Sequence, residues 1–380
     1  MQTKIVTSGL ILSAATALIS SNKAIAESPP EHGVISYKFL DYQDRQNRLV
    51  DSYSGSSSTQ SPNRIKVRAH SLNILAPVAG EWSISATRIE DSISGASPGY
   101  HSSRLKKLND YREAFNLGVT RYLPSGSISV GVNKSDENDY HSIGQSLLGS
   151  WHTESKNTTL NAGISVSNDD ITPEGTIAQD KRVTDWIFGV TQVLTTNDIA
   201  QLNLGYSNGT GYFSDPYKSA DRRPENKEKF TVLGRWNHFF DRTQGSSHLS
   251  YRYYQDTFDI KAHTLDTEYT QPISDGWTVT PSLRFYTQSA AYFYAGVDPA
   301  TPAFDKYANQ KYLSLDQRVG TYGAVTWGLK VTKQIGLDWM VDFKYENYTQ
   351  KENWALSGDE KGANIPFYFE SFQVGISKKF

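Results

Sequence analysis

The sequence predicts an all-β fold, a transmembrane antiparallel up-and-down β-barrel of about 16 strands with short periplasmic turns and long external loops. Three observations carry that prediction. Apolar residues recur at every second position in segment after segment, the connections alternate between two length classes, and no stretch beyond the N-terminal leader approaches the ~18 apolar residues of a membrane helix.

The first residues, Met-Gln-Thr-Lys, precede an apolar run from Ile5 to Ile19 and the small-residue end Ala24-Ile25-Ala26, the layout of a secretory signal peptide cleaved after Ala26. Residues 1–26 are therefore expected to be a leader and residues 27–380 the barrel. Cysteine is absent, which excludes disulfides, a thiolate metal site and a lipid-modified N-terminal cysteine. A formal net charge of −2 asks for no strongly charged partner, and no basic nucleic-acid patch or phosphate-binding glycine loop is present. Polar mean hydropathy combined with many tyrosines, phenylalanines and tryptophans is the mixture that half-apolar strands produce.

Alternation is read at Ile35, Tyr37 and Phe39, at Trp82, Ile84 and Ala86, and at Phe115, Leu117 and Val119, with Ser, Lys, Thr, Asn and Gly between them. It continues through Leu160–Val166, Trp186–Val190, Leu202–Tyr206, Leu249–Tyr253, Val325–Val331 and Trp339–Tyr345. The segment Ile65–Leu75 is the least regular, since Lys66, Arg68 and His70 give way to Leu72 and Ile74 on one face, a change that suggests a bulge. Short turns are expected near residues 76–81, 123–126, 155–158, 195–198, 240–246, 271–276 and 334–338. Longer polar loops are expected between them, with brief exceptions near 135–140 and 256–259. Seven turns and eight loops require about sixteen strands, with both ends on the periplasmic side.

Trp82, Tyr122, Phe239, Trp277 and Trp339 beside the short turns, with Tyr111, Trp186 and Tyr206 beside the long loops, suggest two interfacial aromatic girdles. In the last segment Phe372, Val374, Ile376 and Phe380 alternate with polar residues, resembling the signal read by the barrel assembly machinery; Lys378 interrupts the apolar stripe and is expected to snorkel. The expected location is the outer membrane of a Gram-negative cell, with its lipid and that machinery as partners.

Several strings carry a more specific resemblance: DSISGASP from Asp91 to Pro98, SDPYK from Ser214 to Lys218 followed by Arg223-Pro224, YRYY from Tyr251 to Tyr254, LRFYTQSA from Leu283 to Ala290, and Phe293-Tyr294. Together they resemble the bacterial family of outer-membrane barrels catalogued as domain of unknown function 3570. That resemblance implies an outer-membrane location and no established activity. It also implies periplasmic redox or lipoprotein partners, although a chain without cysteine cannot itself carry a dithiol.

By alternation the lumen receives Lys38, Arg112, Arg235, Arg252, Asp266, Glu268, Arg284, Lys330, Asp342, Lys344 and Glu346. Those from Arg235 to Arg284 fall on four successive strands and could form a ladder of opposite charges. Gly95, Ser97 and Pro98, and Asp215, Pro216, Tyr217 and Lys218, fall in external loops, where their residue types first indicate chain reversal and secondly an inward-folding or ligand-binding loop. The eight histidines show no metal-ligand spacing, and Asp136–Asp139 lacks the spaced ligands of a calcium loop. No cofactor or metal is expected. The reading that follows is a non-enzymatic outer-membrane channel or transporter-like barrel for a small polar solute. One alternative is a closed barrel that anchors periplasmic components, and another is an outer-membrane hydrolase using His248 with a carboxylate such as Asp266.

Overall fold

A computed structural model describes residues 28–46, 63–96, 107–173, 177–216, 221–296, 309–358 and 366–380. The expected leader, and Ser97, Pro98, Tyr217 and Lys218, lie outside the described residues.

The strands are β1 (Val34–Gln46), β2 (Asn63–Val78), β3 (Trp82–Ala96), β4 (Lys107–Leu123), β5 (Gly126–Asp136), β6 (Tyr140–His152), β7 (Thr158–Ile171) and β8 (Gln179–Val193). They continue as β9 (Asp198–Gly211), β10 (Asn226–Phe240), β11 (Gly245–Asp256), β12 (Lys261–Pro272), β13 (Trp277–Gln288), β14 (Tyr322–Ile335), β15 (Trp339–Lys351) and β16 (Phe367–Lys379). Each pairs with its sequence neighbours in antiparallel register, and β1 pairs with β16 to close the barrel. Closure is the pairing expected for the C-terminal segment: Val34 faces Lys379, Gly33 and Phe380 exchange both backbone hydrogen bonds (2.9 and 3.0 Å), and the Phe380 ring lies where a side chain at position 33 would stand.

The two kinds of connection follow from local chemistry. Tight reversals need positive φ at their centre, which Ala79-Gly80 (50° and 72°) and Asp275-Gly276 (47° and 75°) supply between β2 and β3 and between β12 and β13. All seven short turns, the start of β1 and the end of β16 lie at one rim; the other connections leave from the opposite rim.

Register fixes which face each residue takes, because directly paired residues share a face. The outer face carries Val130, Ile143, Trp151, Leu283 and Trp327, each about half exposed (48–56 %), a surface that water would not tolerate in bulk and hydrocarbon would. At the short-turn rim three tryptophans meet a basic side chain from the neighbouring strand: Arg121 over Trp82 (5.2 Å), Lys333 over Trp277 (5.0 Å) and Lys378 over Trp339 (5.2 Å). Lys378 thus occupies the apolar stripe as expected, its charge lying over an aromatic face at the interface.

Two expectations are corrected. Tyr122 and Phe239 do not join the outer girdle: Tyr122 pairs with Ser127 and its hydroxyl lies 3.1 Å from Ser83 Oγ, on the inner face, and Phe239, opposite Ser246, also turns inward while Phe240 faces out. Aromatic identity next to a turn does not specify the face; parity does. In β2 no bulge separates Lys66, Arg68 and His70 from Leu72 and Ile74. All five share the outer face, and the irregularity lies in the pairing with β1, between Gln43 and Arg45. The change of composition marks the top of the apolar band, above which Lys66 and Arg68 reach Asp41 (3.1 and 3.2 Å) and Arg45 reaches Glu370 (3.0 Å).

Because Ile164 faces out and Ser165 faces in at the middle of β7, Ile164→Arg should destabilise the folded barrel by about 2–4 kcal/mol in urea titration from lipid vesicles. Ser165→Arg should cost less than about 1 kcal/mol, since its charge enters the lumen. Equal costs would mean the faces are assigned wrongly.

Candidate lumen and mouth

The inner wall is divided into two unlike halves. From β3 to β9 it presents mostly short neutral side chains, among them Ser85, Thr87, Asn116, Ser129, Asn161 and Asn203. From β10 through β16 to β1 it carries Arg235, Arg252, Asp266, Glu268, Arg284, Lys330, Asp342, Lys344, Glu346 and Lys38, all at inward positions of the register. Six of these are basic and four acidic, so the charged wall is net positive.

The ladder expected along this wall is only partly formed. Asp266 and Arg284 stand opposite each other and form an ion pair. Arg252 instead meets Thr264 Oγ1 at 3.4 Å and Arg235 meets Gln201 Oε1 at 3.4 Å; among the described residues neither has a carboxylate within ion-pair distance. Lys330 and Lys344 are direct cross-strand neighbours, like charges side by side, and Lys344 is drawn to Glu346 (2.9 Å). Asp342 extends across Gly375, where any side chain would collide with its carboxylate, toward the position of Lys38. Arg112 is different: it is buried at the long-loop rim and bound to Asp91 (2.5 Å), an element of structure rather than of the conduit.

The long connections build a lid that periodicity could not show. Residues 289–296 and 309–321, between β13 and β14, fold back with Phe258, Ile260, Ala291, Phe293, Tyr294 and Val319 buried against one another. The cluster leans on the inner wall. Gln288 donates to the carbonyls of Arg318 (3.0 Å) and Gly320 (2.7 Å), Tyr254 packs against the cluster, and Lys227 lies 4.3 Å from the centre of the Phe258 ring. Asp215, expected in an external loop, is buried there and accepts from Arg318 (2.8 Å); Pro216 follows it, half-buried. Asp316, fully buried, accepts from Arg223 (2.8 Å), from Arg318 (2.6 Å) and from the Arg318 backbone (3.0 Å). An antiparallel bridge between Arg222 and Leu313 completes the clasp. Gly95 lies in β3, opposite Leu108 and Ile65, away from this lid.

Burial works against the charge of Arg318, but the carboxylates of Asp316 and Asp215 outweigh it and hold its pKa above the ordinary arginine range. A basic group so raised stabilises the folded lid at every pH below its unfolded value and loses that contribution only on titrating beyond it. Alkali within the working range of proteins therefore leaves the clasp charged.

His248 does not meet Asp266, which is occupied by Arg284. Its Nδ1 lies 2.8 Å from Asn237 Oδ1 and its Nε2 3.4 Å from Ser246 Oγ. The order of groups is that of a nucleophile, a base and an orienting amide, but the serine contact is long and the hydrolase reading needs oxyanion donors besides. Among the described residues no group of three metal-ligating side chains converges. A depression of about 660 Å³ on the outer wall, lined by Leu147, Gly149, Ala162, Trp186 and Phe188, is apolar and faces the hydrocarbon, so it is not the candidate site.

Residues 104–179 and 175–370 match the family described as "Protein of unknown function (DUF3570)". The chain belongs to this family. Among curated proteins none matches the DUF3570 chain significantly. Among solved structures it is similar to "Bacterial polysaccharide outer membrane secretin" at 8 % identity and a TM-score of 0.50, covering 91 % of this chain and 98 % of that one. It is also similar to "CdiB from Acinetobacter baumannii" at 8 % identity and a TM-score of 0.51, covering 90 % of this chain and 60 % of that one. At such identity the likeness is one of fold: this DUF3570 chain has the closed antiparallel architecture of outer-membrane barrels.

Asp316→Ala should free the lid, because Arg223 and Arg318 lose a buried partner; a loss of about 3 kcal/mol would raise the population of the open lid about a hundredfold. Trypsin cleavage at the exposed Lys311, followed on protein whose barrel still shifts on heating in gel electrophoresis, should accelerate accordingly. An unchanged rate would mean the charges do not hold the lid.

Proposed function

We propose that the barrel is a passive outer-membrane channel for small polar solutes, inserted by the barrel assembly machinery, surrounded by outer-membrane lipid and working without catalysis. One observation carries this reading. Arg235, Arg252 and Glu268, in no ion pair among the described residues, and Arg284, paired with Asp266, stand solvent-exposed on the inner wall. A barrel of this strand number has room for water inside, and charged side chains kept hydrated along one wall lower the cost of bringing a polar or ionic solute into a low-dielectric membrane. A plugged barrel would instead bury such charges in pairs.

The excess of cations on the wall from β10 to β1, set against a wall from β3 to β9 whose mid-height charge is Asp185, supports a direction of selectivity. A solute passing Lys38, Arg235, Arg252, Lys330 and Lys344 meets a net positive field, so anions should be favoured over cations. In planar bilayers the purified protein should give discrete current steps, with a reversal potential in a KCl gradient that reports anion preference. Reversing Arg252, Lys330 and Lys344 to Glu should invert its sign, an effect that weakens as salt rises toward 1 M. Absence of current steps from correctly folded protein would end the channel reading.

A further inference from the structure

The register places aromatic rings and a cation in one inward-facing row. Reading across the strands, Arg284 on β13 is opposite Thr326 on β14, Thr326 is opposite Tyr348 on β15, and Tyr348 is opposite Phe369 on β16. Tyr348 and Phe369 are stacked, with ring centres 4.6 Å apart and planes 11° from parallel. Phe367 meets Tyr348 edge-on at 6.0 Å, and Tyr42 packs beside Phe369 at 4.9 Å. The far side of the stack is thus filled, and the side toward β14 is bordered by a short residue, Thr326, with Gly328 two positions along.

Several features fit a ligand better than a purely structural cluster. The tyrosine hydroxyl is already bound, donating to Gln350 Oε1 (2.7 Å), so the polar end is fixed and the ring face is what remains to interact. Two phenylalanines, half-buried, stand at inward positions, and Tyr286 and Tyr322 add inward rings on the neighbouring strands β13 and β14. Arg284, its side chain 57 % exposed, lies two strands from the stack, about 10 Å at the usual strand spacing. That separation suits a six-membered ring stacked over Thr326 with its carboxylate turned to the guanidinium. Asp266 is ion-paired with Arg284 through Nε, which leaves the terminal guanidinium nitrogens for a ligand carboxylate, and Glu346 is drawn to Lys344 (2.9 Å), which limits its repulsion of an anion.

We propose that Tyr348, Phe369, Thr326 and Arg284 form a subsite for small aromatic carboxylates, the ring extending the Tyr348–Phe369 stack and the carboxylate meeting Arg284. The proposal deepens the channel reading by naming a class of solute, and it rests on the same lumen. Stacking supplies recognition of a flat apolar face and the guanidinium supplies recognition of planar carboxylate geometry.

The test uses the full chain in detergent micelles, titrated calorimetrically with benzoate, acetate and benzyl alcohol, and the same three compounds added to KCl currents in bilayers. Benzoate should bind at least about tenfold more tightly than either comparator and should reduce the current at correspondingly lower concentration. Arg284→Ala should weaken benzoate about tenfold and Arg284→Lys less, because lysine keeps the charge without the fork. Thr326→Leu, which fills the slot but leaves both rings and the arginine, should weaken benzoate about tenfold while leaving acetate unchanged. Benzoate binding no tighter than acetate, or unaffected by Thr326→Leu in folded protein, overturns the subsite. A barrel that conducts KCl without this discrimination removes the subsite alone, whereas one that binds benzoate but carries no current removes the channel reading alone.

Discussion

Everything in this structure depends on the pairing of β1 with β16. In hydrocarbon no water can satisfy an exposed backbone N–H or C=O, so a sheet can cross a membrane only when it has no edge. The thirteen-residue register from Val34–Lys379 to Gln46–Phe367 supplies that condition. It also requires an even strand count if both ends are to lie at one rim, and it makes the parity of each residue binding on its environment. Once the sheet is closed, odd and even positions face two solvents, and the composition of the chain is a record of that division.

The second consequence is that the barrel has no conventional core. Its interior wall is polar, so apolar packing is available only where connections can fold over the end. The lid shows how this is done. An apolar cluster around Phe258, Phe293 and Val319 is seated on the inner wall, and a clasp of Arg223, Arg318, Asp215, Asp221 and Asp316 fixes its geometry. All but one of the strings that carry the family resemblance meet here, the exception being Asp91–Pro98: Asp215 and Arg223 come from one loop, Tyr254 from β11, Gln288 from the end of β13, and Ala290, Phe293 and Tyr294 from the segment that follows. What the family strings share in space is therefore the architecture of the mouth.

Legibility in the sequence followed the range of the interaction concerned. Alternation is set by adjacent residues, so the strands, the turns, the two brief loops and the closing partner of the last strand could all be read from local pattern. The misreadings arose where a local cue stood in for parity. Tyr122 and Phe239 lie beside turns and are aromatic, yet one step of register turns each inward. In β2 a change of residue type imitates a bulge, although it marks the height at which the apolar band ends. Inward positions were legible for the same reason as strands, but their partners were not. Whether Asp266 meets Arg284 or Arg252 depends on stagger between strands, which no single segment encodes. The lid was least legible, since contacts such as Arg222 with Leu313 span long stretches of irregular chain and have no period.

The arrangement of charge inside the barrel separates two roles that a list of polar residues would merge. At the mouth, arginine and aspartate are buried together: Asp316, Asp221 and Asp215 are nearly inaccessible, and each acid has a guanidinium at 3.0 Å or less. Such pairs hold geometry, and their desolvation is compensated within the cluster. Along the wall below, Arg235, Arg252 and Arg284 are left exposed and Lys38, Lys330 and Lys344 half-buried, with like charges as neighbours in Lys330 and Lys344. That arrangement is poor for stability, because facing cations repel and nothing apolar is buried by them. A chain under no demand except to fold would place serine or threonine there, as it does on the opposite wall from β3 to β9. On this wall Arg284 and Lys344 have carboxylate partners while Arg235 and Arg252 have none within ion-pair distance among the described residues, and it is at those two positions that folding requirements stop explaining the sequence and the proposed passage of solute would explain it.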